Sequence, residues 1–205
     1  METLPVSHQI VKPEDCVFTF GIPTSLEAFE AARAHPNKEF ARLFGENDRV
    51  ARAKYEYEVL RYIDRVLPVY QALGVRIVRK LELAHFGRLL HAGSKVLILC
   101  SHWNDEAVEF YDGFADTASI MSQFPEHFQG VTDLCVCRSR SLAYAIKKQY
   151  PHALIRYANK PAAPYIWLPF YIDIFRYLKV QDVSYPEAVS VCVSRVIRKT
   201  RDAAP

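Results

Sequence analysis

A histidine and a cysteine each stand at the end of an apolar run: KVLILCSH finishes on His102 and VTDLCVC finishes on Cys137. A thiol of ordinary pKa is mostly protonated near neutral pH, so a nucleophilic cysteine needs an imidazole beside it to take the proton. Adjacent parallel strands lie about 4.8 Å apart. Side chains leaving two neighbouring strand ends therefore meet without any special loop. The chemistry such a pair supports is nucleophilic attack by the sulfur, with the imidazole taking its proton.

The elements around the pair follow from hydrophobic spacing. CVFTFGIP, from Cys16 to Pro23, reads as a first strand closed by Gly21 and Pro23. A capped start at Thr24 or Ser25 opens a helical AFEAARA, followed by a His-Pro break at 35 and 36 and a short second helix through Phe44. From Asp48 to Leu73, apolar residues at 59, 60, 63, 66, 67, 70 and 73 mark one helical face that ends at Gly74, with a kink or division expected at Pro68. VRIVRKL alternates as a half-exposed edge strand, LELAHFGRLLHAG is helical, and VLILC is apolar throughout, as a strand buried on both faces must be. Helix, edge strand, helix, central strand is the alternation of a parallel α/β sheet, whose ligands sit beyond the carboxyl ends of the strands. His102 and Cys137 both fall there.

EAVEFYDG then alternates and closes on Asp-Gly, a hairpin signature. A short helix is expected over Ile120 to Gln129, interrupted by Pro125; VTDLCVC is another interior strand, SRSLAYAIKKQYP a helix and ALIRYAN a strand. The aromatic stretch from Pro161 to Leu178 reads as a buried helix broken by proline, and YPEAVSVCVSRVIRK as an amphipathic final helix.

Composition sets outer limits. The 205 residues are 50% apolar and 24% charged, ordinary for a globular chain, and suffice for one sizeable core. Basic residues exceed acidic ones by only 26 to 23, too small a surplus to indicate nucleic acid. No uncharged run is long enough to span a bilayer, and no signal core follows the N-terminus; a cytoplasmic protein is expected. The five cysteines, 16, 100, 135, 137 and 192, are odd in number and read as reduced thiols, with Cys16, Cys100 and Cys192 as core.

GVRIVRKLELAHFGRLLHAGSKVLILCSHWNDEAVEFYDG resembles the caspase-fold (clan CD) cysteine peptidases, in which strand, helix, strand, Ser-His and a hairpin follow in that order. VTDLCVCRS is similar to their second signature, an apolar strand delivering a cysteine followed by arginine. The resemblance covers about Cys16 to Asn159, rests on Ser101, His102, Cys137 and Arg138, and is nearer the bacterial caspase-like and CHAT-type proteins than the animal caspases. It implies a three-layer α/β/α fold with a mostly parallel central sheet, a single domain over 1–205 with an N-terminal extension at 1–15 and a helical part at 160–205, and no cofactor. It further implies a protein or peptide substrate, with a regulatory protein partner possible, and a Cys-His dyad in which Cys137 attacks and His102 protonates the leaving amine. No third residue is required. Backbone N–H groups of Cys137 and of the residue after His102 would hold the oxyanion.

The chain departs from that pattern at three places. Trp103 stands where the family has glycine and is a candidate pocket wall, Cys135 replaces the glutamine that helps select aspartate, and Ser139 replaces the glycine after Cys-Arg. Aspartate specificity is therefore not expected. Arg138, Asp105 and Asp116 are further substrate-pocket candidates, within an acidic group that includes Glu106 and Asp112. Two other readings stay open: an inactive caspase-fold scaffold or regulatory module, suggested by Trp103, and a zinc-stabilised binding domain using Cys100, His102, Cys135 and Cys137. His85, His91, His127 and His152 have no second ligand at a metal-like spacing and read as surface residues.

Overall fold

In the computed structural model the described residues are 8–34, 47–102, 107–157 and 163–202. A five-stranded, wholly parallel sheet forms the centre, built from β1 (Cys16–Phe20), β2 (Arg76–Val78), β3 (Val96–Ser101), β6 (Val131–Val136) and β7 (Leu154–Tyr157) in the order β2-β1-β3-β6-β7. The intervening β4 (Ala107–Phe110) and β5 (Gly113–Asp116) form a separate antiparallel hairpin. The edge position expected for VRIVRKL and the central one expected for VLILC are those of β2 and β3.

Strand alternation divides the core into two layers. On β3, Val96, Ile98 and Cys100 face one cluster, and Leu97 and Leu99 face the other. The first cluster is closed by α1 (Leu26–Ala34), α2 (Asp48–Tyr55), α3 (Arg61–Leu73), α7 (Pro164–Val180) and α8 (Tyr185–Asp202). The second is closed by α4 (Leu83–His91), the hairpin, α5 (Thr117–Met121) and α6 (Arg140–Gln149). With both faces covered, each interior strand must be apolar on both sides, which is why VLILC shows no polar alternation.

Three helical expectations are corrected. Of the kink or division expected at Pro68, the division does not occur: the helix runs through it, and a π-helical turn lies earlier at Glu56–Leu60. The aromatic helix is likewise continuous through Pro169. In both cases the proline and the residue four before it, Asp64 or Tyr165, are exposed, so the carbonyl that loses its partner lies on the solvent side of the helix. The short helix after the hairpin runs over Thr117–Met121 and not over Ile120 to Gln129, because the Asp116 carboxylate accepts from Ser119 N–H at 2.7 Å and caps it there, and 122–129 are turns and irregular chain. The short helix expected to end at Phe44 lies outside the described residues. Part of the N-terminal extension belongs to the core: Val11 is buried and its N–H donates to the Val183 carbonyl at 3.0 Å. Among the described residues no helix is long and apolar enough to cross a membrane.

Candidate functional site

The parallel register of β3 and β6 pairs Cys100 with Cys135 and Ser101 with Val136. His102 and Cys137 are the next residues on each strand, one step past the last pair. Cys100 and Cys135 point into the first core layer, and His102 and Cys137 stand just beyond the two strand ends. Cys137 is half-buried, and it is among the groups that raise the Cys100 thiol, behind the Cys135 hydrogen bond and burial.

Cys137 opens a tight strand-to-helix turn. Arg138 is exposed and takes a left-handed φ of 50°, a conformation that non-glycine residues rarely hold outside constrained turns. Ser139 is fully buried and its hydroxyl donates to the Val136 carbonyl at 3.1 Å. That bond ties the turn back onto the strand, and α6 begins at the next residue. The glycine position of the family pattern is thus filled by a serine that fastens the turn. α6 starts three residues after Cys137.

His102 is held by the hairpin that follows it. The Ser101 hydroxyl donates to the Glu109 carbonyl, and the Glu109 N–H donates to the His102 carbonyl at 3.0 Å. The same residue brings its carboxylate to the ring: Glu109 Oε2 lies 3.9 Å from His102 Nε2, with side-chain exposures of 5% and 21%. Burial pushes the Glu109 carboxyl up to about 8 and the His102 imidazole down to about 4. Those two shifts describe each group losing its charge to desolvation, whereas attraction at 3.9 Å works the other way on both. With the carboxyl group protonated and the imidazole neutral, the pair holds one proton between about 4 and about 8. Tyr55 faces the same carboxylate from α2; its hydroxyl donates to the Pro23 carbonyl at 2.6 Å and is held protonated by burial, then by Glu109 and Cys100.

Gly21 makes this closure possible. A Cβ there would run into the Glu109 carbonyl oxygen, with the Ser101 hydroxyl oxygen 3.0 Å away, so the end of β1 can pass the hairpin only without a side chain. Beside it, a cavity of about 350 Å³ opens between α1, the end of β1 and the hairpin, lined by Gly21, Pro23, Ala28, Glu109, Phe110 and Phe114 among others. It lies at the carboxyl ends of β1 and β3, where chain order reverses and α/β sheets receive ligands. Neither His102 nor Cys137 lines it; Glu109 is the residue shared by the cavity and the imidazole.

Of the other candidates, Trp103 and Asp105 lie outside the described residues, as does Glu106. Asp116 is spent as the α5 cap, and Asp112 accepts from Leu83 N–H at 3.1 Å at the start of α4. Glu109 was not expected: in EAVEFYDG it alternates with Val108 and Phe110, and that pattern assigns it to solvent. The usable signal was the short link after His102, which obliges the hairpin to fold back on the strand end. Asp133 was also missed. It is fully buried within β6, where Arg156 Nη1 donates to both its oxygens at 2.7 and 2.8 Å and the Tyr185 hydroxyl donates at 2.6 Å. A carboxylate inside an otherwise apolar strand requires such a partner. Burial opposes the Arg156 charge, and Asp133 more than restores it, so the guanidinium stays protonated.

All five cysteines are thiols. Burial and nearby carboxylates raise Cys16, and burial raises Cys192. Among the described residues no three His, Cys, Asp or Glu side chains converge as a metal site, and Cys100 is instead hydrogen-bonded with Cys135. No protein-family model and no curated protein matches the chain.

Proposed function

We propose that the chain is a cysteine endopeptidase of the caspase-like type, acting through Cys137 and His102. The observation that carries this reading is the β3–β6 register, in which His102 and Cys137 each come one residue after the last pair, Ser101 and Val136. The strained turn after Cys137 and the strand order β2-β1-β3-β6-β7 are in keeping with it. In the proposed reaction the Cys137 sulfur bonds to a peptide carbonyl carbon while its proton passes to His102. The tetrahedral oxyanion is met by the Cys137 N–H. Collapse breaks the C–N bond, the amine leaves with the proton from His102, and a thioester remains. Water then adds to the thioester carbonyl, gives its proton to His102, and releases the acid as the proton returns to sulfur.

The proposed substrate is a protein or peptide, and a regulatory protein partner is part of the same reading. Five thiols without a disulfide suit a reducing compartment, and the cytoplasm is the proposed location. A cysteine-reactive peptidyl probe tests the activity. A single adduct mapped to Cys137 and lost in both Cys137→Ala and His102→Ala is the expected result. An unlabelled wild-type protein, or labelling indifferent to His102→Ala, contradicts it.

A further inference from the structure

We propose that Glu109 is a positioning residue for His102, its buried carboxyl group set against the Nε2 edge of the imidazole so that the ring keeps one orientation at the end of β3. The inference deepens the peptidase reading and rests on it for the role of Cys137, but the contact between Glu109 and His102 can be tested without any activity. Two parts of Glu109 do different work. Its backbone carbonyl and N–H bind the Ser101 hydroxyl and the His102 carbonyl, and any residue could supply those bonds. Its side chain could then have been apolar, like Val108 and Phe110 beside it. Instead a carboxyl group is buried at 5% exposure, and among the described residues its Oε2 has no hydrogen-bond partner. Such burial is costly unless the group has a charged or polar counterpart, and the polar side chain brought to it is the His102 imidazole at 3.9 Å. The Tyr55 hydroxyl, which also faces this carboxylate, is already committed to the Pro23 carbonyl.

The geometry explains how a histidine just past a strand end is kept from swinging away. The His102 backbone carbonyl accepts from Glu109 N–H, and the Glu109 carboxyl faces the Nε2 edge of the ring at 3.9 Å, both from one residue of a hairpin latched by Ser101. An imidazole oriented by a third group in this way is the general logic of nucleophile–base–orienter sites.

The test uses the full chain with ¹⁵N-labelled histidine. In wild type the ring nitrogens of His102 are expected to show an inflection near pH 8, where the carboxyl–imidazole pair loses its proton. In Glu109→Gln, which keeps the backbone bonds and the shape, that inflection disappears. The rate of Cys137 labelling by a peptidyl probe is expected to fall roughly ten- to a hundredfold, by analogy with removal of a group that orients a metal-bound histidine, with partial recovery in Glu109→Asp. A His102 titration identical in wild type and Glu109→Gln overturns the proposal. So does a wild-type titration lacking any inflection near 8, which needs no variant to fold. If the inflection vanishes in Glu109→Gln while wild-type Cys137 takes no probe, the Glu109–His102 pair stands and the peptidase reading falls.

Discussion

Replacing Glu109 by glutamine should change how stability depends on pH, and the size of the effect follows from the proton count of its pair with His102. Unfolded, the two side chains titrate at their ordinary values of 4.5 and 6.5; folded, the pair titrates at about 4 and about 8. Taken singly, a histidine lowered on folding makes stability rise with pH from about 4 to 6.5, and a glutamate raised on folding makes it fall from 4.5 to about 8. The two slopes cancel between 4.5 and 6.5, where folded and unfolded chains each hold one proton. Above 6.5 the unfolded chain has lost its proton and the folded chain keeps one, so stability falls until about 8. At 1.36 kcal/mol per pH unit the fall amounts to about 2 kcal/mol. In Glu109→Gln only the histidine remains: stability should climb by about 3 kcal/mol between pH 4 and 6.5 and stay level from there to 8. The raised thiols of Cys16 and Cys100 add a decline of the same sign only as pH nears 9. Urea unfolding followed by circular dichroism at pH 5.5, 6.5 and 8, with linear extrapolation, measures all three points. Equal wild-type stability at 6.5 and 8, or the same decline in Glu109→Gln, would refute the paired burial of these groups.

Other perturbations probe the scaffold. Gly21→Ala should push the hairpin off the end of β1 and cost about 1–3 kcal/mol, the usual penalty of overpacking, measurable by denaturant unfolding. Arg156→Met strands a buried carboxylate on Tyr185 alone and should cost about 3–5 kcal/mol, whereas Asp133→Leu combined with Arg156→Met should be markedly milder; a double-mutant cycle reads the difference. Brief alkylation of the native protein near neutral pH should modify Cys137 ahead of Cys16, Cys100 and Cys192, whose thiols are raised, and peptide mapping would show the order.

Much of the frame was legible because burial leaves a simple mark on sequence. VLILC and VTDLCVC read as interior strands since both faces are covered, and EAVEFYDG read as a hairpin from its closing Asp-Gly, although the observed loop is Tyr111 and Asp112, with Gly113 already paired to Phe110. Strand order was not legible. The adjacency of β3 and β6 was an expectation from chain order, and their register is a tertiary fact. Pro68 and Pro169 were misread because local rules treat proline as a breaker without knowing that its orphaned carbonyl lies on the solvent side. Glu109 escaped for the opposite reason: alternation assigns a polar residue to water, and here that face is folded onto Gly21 and His102. Asp133 escaped because one carboxylate barely alters the apolar signature of a strand, although its partner Arg156 sits opposite it in register on β7.

The central claim is that Cys137 and His102 work as one thiol–imidazole pair, and the pH dependence of Cys137 alkylation by iodoacetamide tests it most directly. For wild type, Cys137 alkylation is expected to depend on His102, with a changed pH profile in His102→Ala. A Cys137 that titrates as an ordinary thiol in wild type, unchanged by His102→Ala, would contradict the pairing.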